Sequence, residues 1–140
     1  MIKDGIEGDY PYTKQADIFY KDSTLVAIIA SHGWRTNKGH VLIFPTKHFE
    51  NIYDIPEDTL SLISKFSKKV SIALKEVYKC EDITLRQNNE PAGDQDVFHY
   101  HLHVFPRYKD DNINQIKGLR VLGPEEERDR FASSLRIYFN

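Results

Sequence analysis

Val97-Phe98-His99-Tyr100-His101-Leu102-His103-Val104-Phe105-Pro106-Arg107 is the stretch on which the fold turns. Three of the six histidines fall here, at a strict spacing of two. Successive side chains of a β-strand point to opposite faces, so His99, His101 and His103 would share one face. Tyr100, Leu102 and Val104 would then form an apolar row on the other, suited to packing on a core. A helix would scatter the same imidazoles over roughly 200° of its surface, at about 100° per residue. A strand is therefore expected, with Pro106 ending it or lying at a sheet edge, because proline cannot donate to a ladder.

Three imidazoles on one strand face admit a metal site, a structural role or an active site. At about 3.3 Å per residue, the Cα atoms of His99 and His103 lie roughly 13 Å apart. All three side chains reaching one ion from a straight strand would be strained, and a tetrahedral site usually takes its third ligand from another element. In an active site, one neutral imidazole can serve as a nucleophile near pH 7. Its neighbours can donate hydrogen bonds to phosphate oxygens as charge grows there.

Outward from this stretch, the pattern predicts an α+β fold. Residues 17–20 and 24–29 read as two short strands around a turn at Lys21-Asp22-Ser23, and residues 40–44 as a third strand burying Val41 and Ile43. Between them, residues 31–39 form a polar loop closed by Gly39. Pro56 with Glu57 and Asp58 opens a helix, acids being favourable at the positive end of its dipole. Leu60, Ile63, Phe66, Val70, Leu74 and Val77 continue it as an apolar stripe. Residues 83–87 make a fourth strand and the histidine stretch a fifth. Gly123-Pro124 opens a second helix carrying Phe131, Leu135 and Tyr138, with Glu125 to Glu127, Arg128 and Arg130 as its solvated face. Strands with segregated helices define the α+β class.

The residues carry a resemblance. His99 to Phe105 resembles the His-φ-His-φ-His-φ-φ signature of the histidine triad (HIT) family, φ being apolar. Two further blocks extend it: Gln87-Asn88-Asn89-Glu90-Pro91-Ala92-Gly93-Asp94-Gln95-Asp96, and Gly39-His40-Val41-Leu42-Ile43-Phe44-Pro45-Thr46-Lys47-His48. The resemblance covers about residues 17–108. It leaves an irregular N-terminal arm at 1–16 and a C-terminal extension with its helix at 109–140, within one domain of 1–140. It implies a strongly bent antiparallel sheet of about five strands, usually paired with a second copy as a homodimer.

By the same resemblance, His101 is the nucleophile, attacking the α-phosphorus of a nucleotide to form a nucleotidyl-imidazole that water then cleaves. His99 would orient that ring, His103 would donate to the phosphate or the leaving atom, and His40 matches a fourth histidine behind the triad. Asn88 stands where the family keeps an amide that contacts phosphate, and Gln95 matches a commonly kept glutamine. Asp96 departs from the pattern: a hydroxyl is frequent there, and a carboxylate cannot donate unless protonated. His32 departs as well, occupying the place of an Asp or Asn that holds ribose hydroxyls. Leu42 fits the wall of a base pocket, although Ala30 and Gly33 are smaller than the usual residues there. Arg107 has the geometry to fork onto a distal phosphate. Trp34 reads either as a base-stacking ring or as a buried one.

Three function classes follow. The first is a nucleotidyl hydrolase or transferase acting on dinucleoside polyphosphates or nucleoside phosphoramidates, needing no cofactor of its own, with magnesium accompanying the substrate at most. The second is a nucleotide-binding regulatory module with little catalysis, and the third a metal-dependent hydrolase. Composition fits an ordinary globular chain of 140 residues, 40% hydrophobic and 29% charged, with formal net charge -2. That balance calls for no nucleic acid and no anionic membrane as partner. No apolar run suits a signal peptide or a membrane span. One cysteine, Cys80, favours a reducing compartment. A cytoplasmic protein is the expectation.

Overall fold

The computed structural model describes residues 12–114 and 120–140, so the expected N-terminal arm lies mostly outside the described residues. Strands β1 (Ile18–Lys21) and β2 (Leu25–Ile29) form a hairpin. Asp22 makes its turn, one carboxylate oxygen accepting the backbone N–H of Thr24 at 2.8 Å and of Leu25 at 2.9 Å. There follow β3 (His32–Gly33), β4 (Val41–Pro45), the long helix α1 (Glu57–Tyr78), β5 (Asp82–Gln87), β6 (Leu102–Arg107), β7 (Val121–Leu122) and helix α2 (Glu125–Phe139). Five strands make one antiparallel sheet in the order β1-β2-β4-β6-β5, and β3 pairs with β7 in a separate ribbon. The expected α+β architecture holds. The β3–β7 ribbon was not anticipated; strands of two residues carry too little alternation to register in a sequence.

Helix α1 lays its stripe of Ile63, Phe66, Val70, Ala73 and Leu74 on one sheet face, against Ala27, Ile29, Val41, Ile43 and Val104. The opposite face is also buried over its central strands, where Val26, Ile28, Leu42 and Phe44 form a second cluster. Burial on both faces explains why β2 and β4 read as continuous apolar runs. Helix α2 covers β1, with Ala132 and Leu135 in the core. Its Arg128 corrects the expectation of a solvated face. Arg128 is 4% exposed, and its guanidinium donates to Asp17 at 2.6 Å and to the Gly123 carbonyl at 3.1 Å. Burial pushes the Asp17 carboxyl up, against the opposing pull of the Lys14 backbone hydrogen bond and of Arg128. The pair ties the second helix to the entry of β1.

The histidine stretch differs from the expected continuous strand. Regular pairing begins only at Leu102, so His99 and His101 lie on a bent approach to β6. The register explains the break. Extending the pairs Ile43↔Leu102 and Leu42↔His103 would set Tyr100 opposite Pro45, which has no N–H to give. Instead, the Tyr100 N–H donates to the Phe49 carbonyl at 2.6 Å. The two-sided alternation survives the bend: Tyr100 and Val104 are buried in the helix-side core, with Leu102 packed against it. Pro106 sits within β6, opposite Ile83. Its carbonyl faces away from β5 and accepts the Asn37 amide at 2.5 Å, so the missing N–H falls where β4 has already ended.

Candidate active site

Sheet register places the site. Ile28↔Leu42, Leu42↔His103 and His103↔Arg86 are successive cross-strand partners, so these four residues form one row across the face away from α1. Phe105 follows His103 on the same face. Its ring stacks on His103 at 5.3 Å between centroids and on His40 at 4.6 Å. The rings of His101 and His103 lie 4.9 Å apart, and those of His40 and His103 5.6 Å apart. His101, His103 and His40 are thus brought together, while the His99 ring packs instead against Phe44 and His48.

The hydrogen bonds assign two tautomers. A carbonyl oxygen can only accept, so His99 donates Nε2–H to the Pro45 carbonyl at 2.8 Å, and His101 donates Nδ1–H to the His99 carbonyl at 2.8 Å. The neutral His101 ring therefore carries its lone pair on Nε2, which faces the Asp96 carboxylate 3.8 Å away. His99 positions the neighbouring ring through its backbone while its own side chain, fully buried, pins the bend to the end of β4. Burial, the largest cause in each case, holds the rings of His32, His40, His101 and His103 below their ordinary range. The effect is modest at His32 and His101, strong at His103, and takes His40 down to about 3. The Nδ1 atoms of His40 and His103 are buried without a hydrogen-bond partner among the described residues.

Two cavities meet at this cluster. The smaller, about 250 Å³, lies against His101 and is walled by Ala30, Ser31, His32, Leu42 and Val97. The larger, about 650 Å³, lies on the Phe105 side, with Trp34, Arg86, Asn88, Gln95 and Asn114 on its walls. His40, His103, Asp96 and Arg120 border both. His32, whose ring nitrogen is 3.0 Å from the Ser31 hydroxyl, and Leu42 accordingly line the smaller cavity, as the base and ribose readings require. Asn88 borders the larger, its amide donating to the Asp94 carbonyl at 3.3 Å.

Gln95 also borders the larger cavity, but its side chain is 5% exposed and engaged at both ends. Its oxygen accepts the Glu90 N–H at 2.7 Å, and its amide donates to the carbonyls of Glu50 at 2.7 Å and Val97 at 3.1 Å. Gln95 thereby braces the loop that carries Asp96. Arg107 does not reach either cavity. Along β6, Phe105 separates it from His103, and its guanidinium meets both oxygens of Asp111 at 2.9 Å. Its remaining arm donates to Thr84 at 2.9 Å. Trp34, 6% exposed, packs with Phe105 and Ile113.

Sequence reasoning passed over Arg86, Asn114 and Arg120. Arg86 shares the His103 row through strand register, which alternation alone does not reveal; it lies 5.1 Å over the Phe105 ring and donates to Asn114 at 2.7 Å. Arg120 donates to Asp96 at 3.1 Å from beyond the recognised motif blocks, where no pattern pointed to it. Among the described residues, no three His, Cys, Asp or Glu side chains are grouped so as to hold a metal ion.

A family model described as the HIT domain matches residues 13–110. The chain belongs to the HIT family. Protein hit of Bacillus subtilis is 34% identical over 104 residues, covering 74% of this chain and 67% of that protein. A HIT-like protein of Bartonella henselae, described as involved in cell-cycle regulation, superposes with a TM-score of 0.75 at 28% identity, over 86% of this chain and 85% of that one. The diadenosine triphosphate hydrolase of Plasmodium falciparum, in complex with cyclomarin A, shares the fold with a TM-score of 0.77 at 16% identity, over 91% of this chain and 79% of that one. No helix among the described residues is long and apolar enough to cross a membrane.

Proposed function

We propose that the protein is a nucleotidyl hydrolase or transferase that cleaves at the α-phosphate of dinucleoside polyphosphates or nucleoside phosphoramidates through a nucleotidyl group carried on His101. The observation that carries this reading is the His101 Nδ1–H donation to the His99 carbonyl, which sets the lone pair on Nε2 in a ring that lines the smaller cavity beside His103. The Nε2 lone pair attacks phosphorus, an Nε2–P bond forms, and the bond from phosphorus to the leaving oxygen or nitrogen breaks with its electron pair on the departing group. The ring then carries positive charge, and the His99 carbonyl, already accepting Nδ1–H, stabilises it. Water next attacks phosphorus, and the P–N bond breaks to return the lone pair to Nε2. One water proton ends on the leaving group, the hydroxide on the nucleotide.

The smaller cavity suits the nucleoside that stays with the transferred phosphate, with His32 at the ribose and Leu42 under the base. The larger cavity suits the leaving group, with Asn88 near the bridging atom and His103 as donor. Asp96 either assists the leaving group's proton or contributes through its backbone N–H. The working unit in this proposal is a homodimer in the cytoplasm, requiring no metal of its own, with magnesium arriving on the substrate. Sedimentation reports the dimer.

Incubation with α-labelled diadenosine tetraphosphate, and separately with adenosine phosphoramidate, tests the chemistry. An acid-labile labelled adduct is expected on the wild type, absent in His101→Ala, with hydrolysis lowered at least a thousandfold in that variant. Comparable hydrolysis by both proteins removes the covalent mechanism. Activity lost on exhaustive chelation of the protein and restored by zinc moves the reading to metal-dependent hydrolysis.

A further inference from the structure

We propose that Arg120 grips the non-bridging oxygens of the phosphorus attacked by His101, and that Asp96 holds the guanidinium ready until substrate arrives. This deepens, and rests on, the nucleotidyl-transfer reading above. The geometry begins with the four residues common to both cavities, His40, His103, Asp96 and Arg120. They mark where the phosphate joining the two halves of a substrate would sit. Burial keeps His40 and His103 neutral at that place. Among the described residues common to both cavities, the junction therefore holds one anion, Asp96, and one cation, Arg120.

An approaching phosphate is an anion, and a carboxylate 3.8 Å from the nucleophilic nitrogen repels it. The guanidinium on the other Asp96 oxygen, at 3.1 Å, offsets that repulsion in the empty site. Its hold there is weak. Both side chains are 45% exposed, so solvent screens the pair and it contributes little. A phosphate offers two oxygens in the plane of the fork and so outcompetes a single carboxylate contact.

The backbone holds Arg120 in place for this exchange. It directly precedes β7, whose Val121 and Leu122 pair with Gly33 and His32, so the ribbon that carries the ribose-side His32 on one strand leads into Arg120 on the other. The Gly123 N–H continues the ribbon to the Ser31 carbonyl at 2.8 Å. Arg120 lies outside residues 13–110, the span matched to the family. The countercharge to the reacting phosphate is thus supplied from the C-terminal extension.

The test uses the full chain as wild type, Arg120→Gln, Arg120→Lys, Asp96→Asn and the Arg120→Gln/Asp96→Asn double variant. Two readings are taken: the single-turnover rate of adduct formation from labelled diadenosine tetraphosphate, and AMP affinity by calorimetry. Arg120→Gln is expected to slow adduct formation about a hundredfold and to weaken AMP about tenfold, with Arg120→Lys between it and wild type. The deficit should persist in the double variant. Restoration by Asp96→Asn to within about threefold of wild type would reduce Arg120 to a counterion and overturn the proposal, as would unchanged rate and affinity in Arg120→Gln. A wild type that forms no adduct yet binds AMP through Arg120 refutes the nucleotidyl-transfer reading alone. A wild type that does not bind AMP refutes both.

Discussion

Lowering the pH from 7 to 5 should destabilise this protein by about 2 kcal/mol through His40 alone. Its ring is 4% exposed and held down to about 3, first by burial and then by the nearby Arg120, His101 and Arg86. An unfolded histidine takes up its proton near 6.5, so between about 6.5 and 3 the unfolded chain binds a proton that the folded site refuses. Stability therefore rises with pH across that window and is lost as pH falls, by about 1.4 kcal/mol per pH step once below 6.5. From pH 7 to pH 5 the difference comes to about 2 kcal/mol. Lowered values at His101 and His103 act in the same direction. Asp111, held low chiefly by its hydrogen bond from Arg107, adds its own loss only below the ordinary carboxylate range. Urea unfolding followed by the fluorescence of the single tryptophan, Trp34, reads the change at pH 5, 6 and 7. His40→Asn removes the titrating ring, so its pH dependence over that range should be shallower by about 2 kcal/mol, whatever its starting stability. Parallel curves for the two proteins would refute the reasoning.

Arg107→Met should cost roughly 3 kcal/mol of stability, since it strands Asp111 as a buried carboxylate, while leaving the rate of the folded enzyme within about twofold. Urea unfolding and turnover on diadenosine tetraphosphate check the two halves separately. Gly39→Ala should be destabilised by roughly 2–3 kcal/mol in the same unfolding assay. Its φ of +78° is strained for alanine, and the added methyl would lie 2.9 Å from ring atoms of Phe131. Glu90→Gly should gain about 1 kcal/mol, because Glu90 holds φ 67° and ψ 162°, a conformation natural only to glycine. Finally, kcat/KM should be flat above pH 7 and fall only at pH values below 6.5, where the lowered His101 ring begins to protonate.

Alternation and helix periodicity made most of this fold legible. The stripe from Leu60 to Val77 became α1, and the triad segment declared its two faces although only its second half is a strand. The bend at His99 was not legible, because it depends on Pro45 arriving opposite Tyr100, a matter of register between segments far apart in sequence. The same limit hid Arg86, which joins His103 only once β5 is laid beside β6. Arg128 looked like one more surface charge, since its buried partner Asp17 lies 111 residues away. Of the site, the four imidazoles, His32, Leu42, Asn88 and Asp96 could be named in advance because a motif carries them. Arg107 has the right chemistry and the right face, but Asp111 and Thr84 engage its guanidinium and it lines neither cavity.

The ribbon of β3 with β7 has a consequence for how such a protein can diversify. Its first strand lies within the span matched to the family and its second beyond it, so one rim of the pocket is contributed by a stretch of chain that carries none of the four imidazoles. The cluster of imidazoles and the rim that faces it thus come from separate parts of the polypeptide. Sister proteins could then part company in diet while keeping the same teeth.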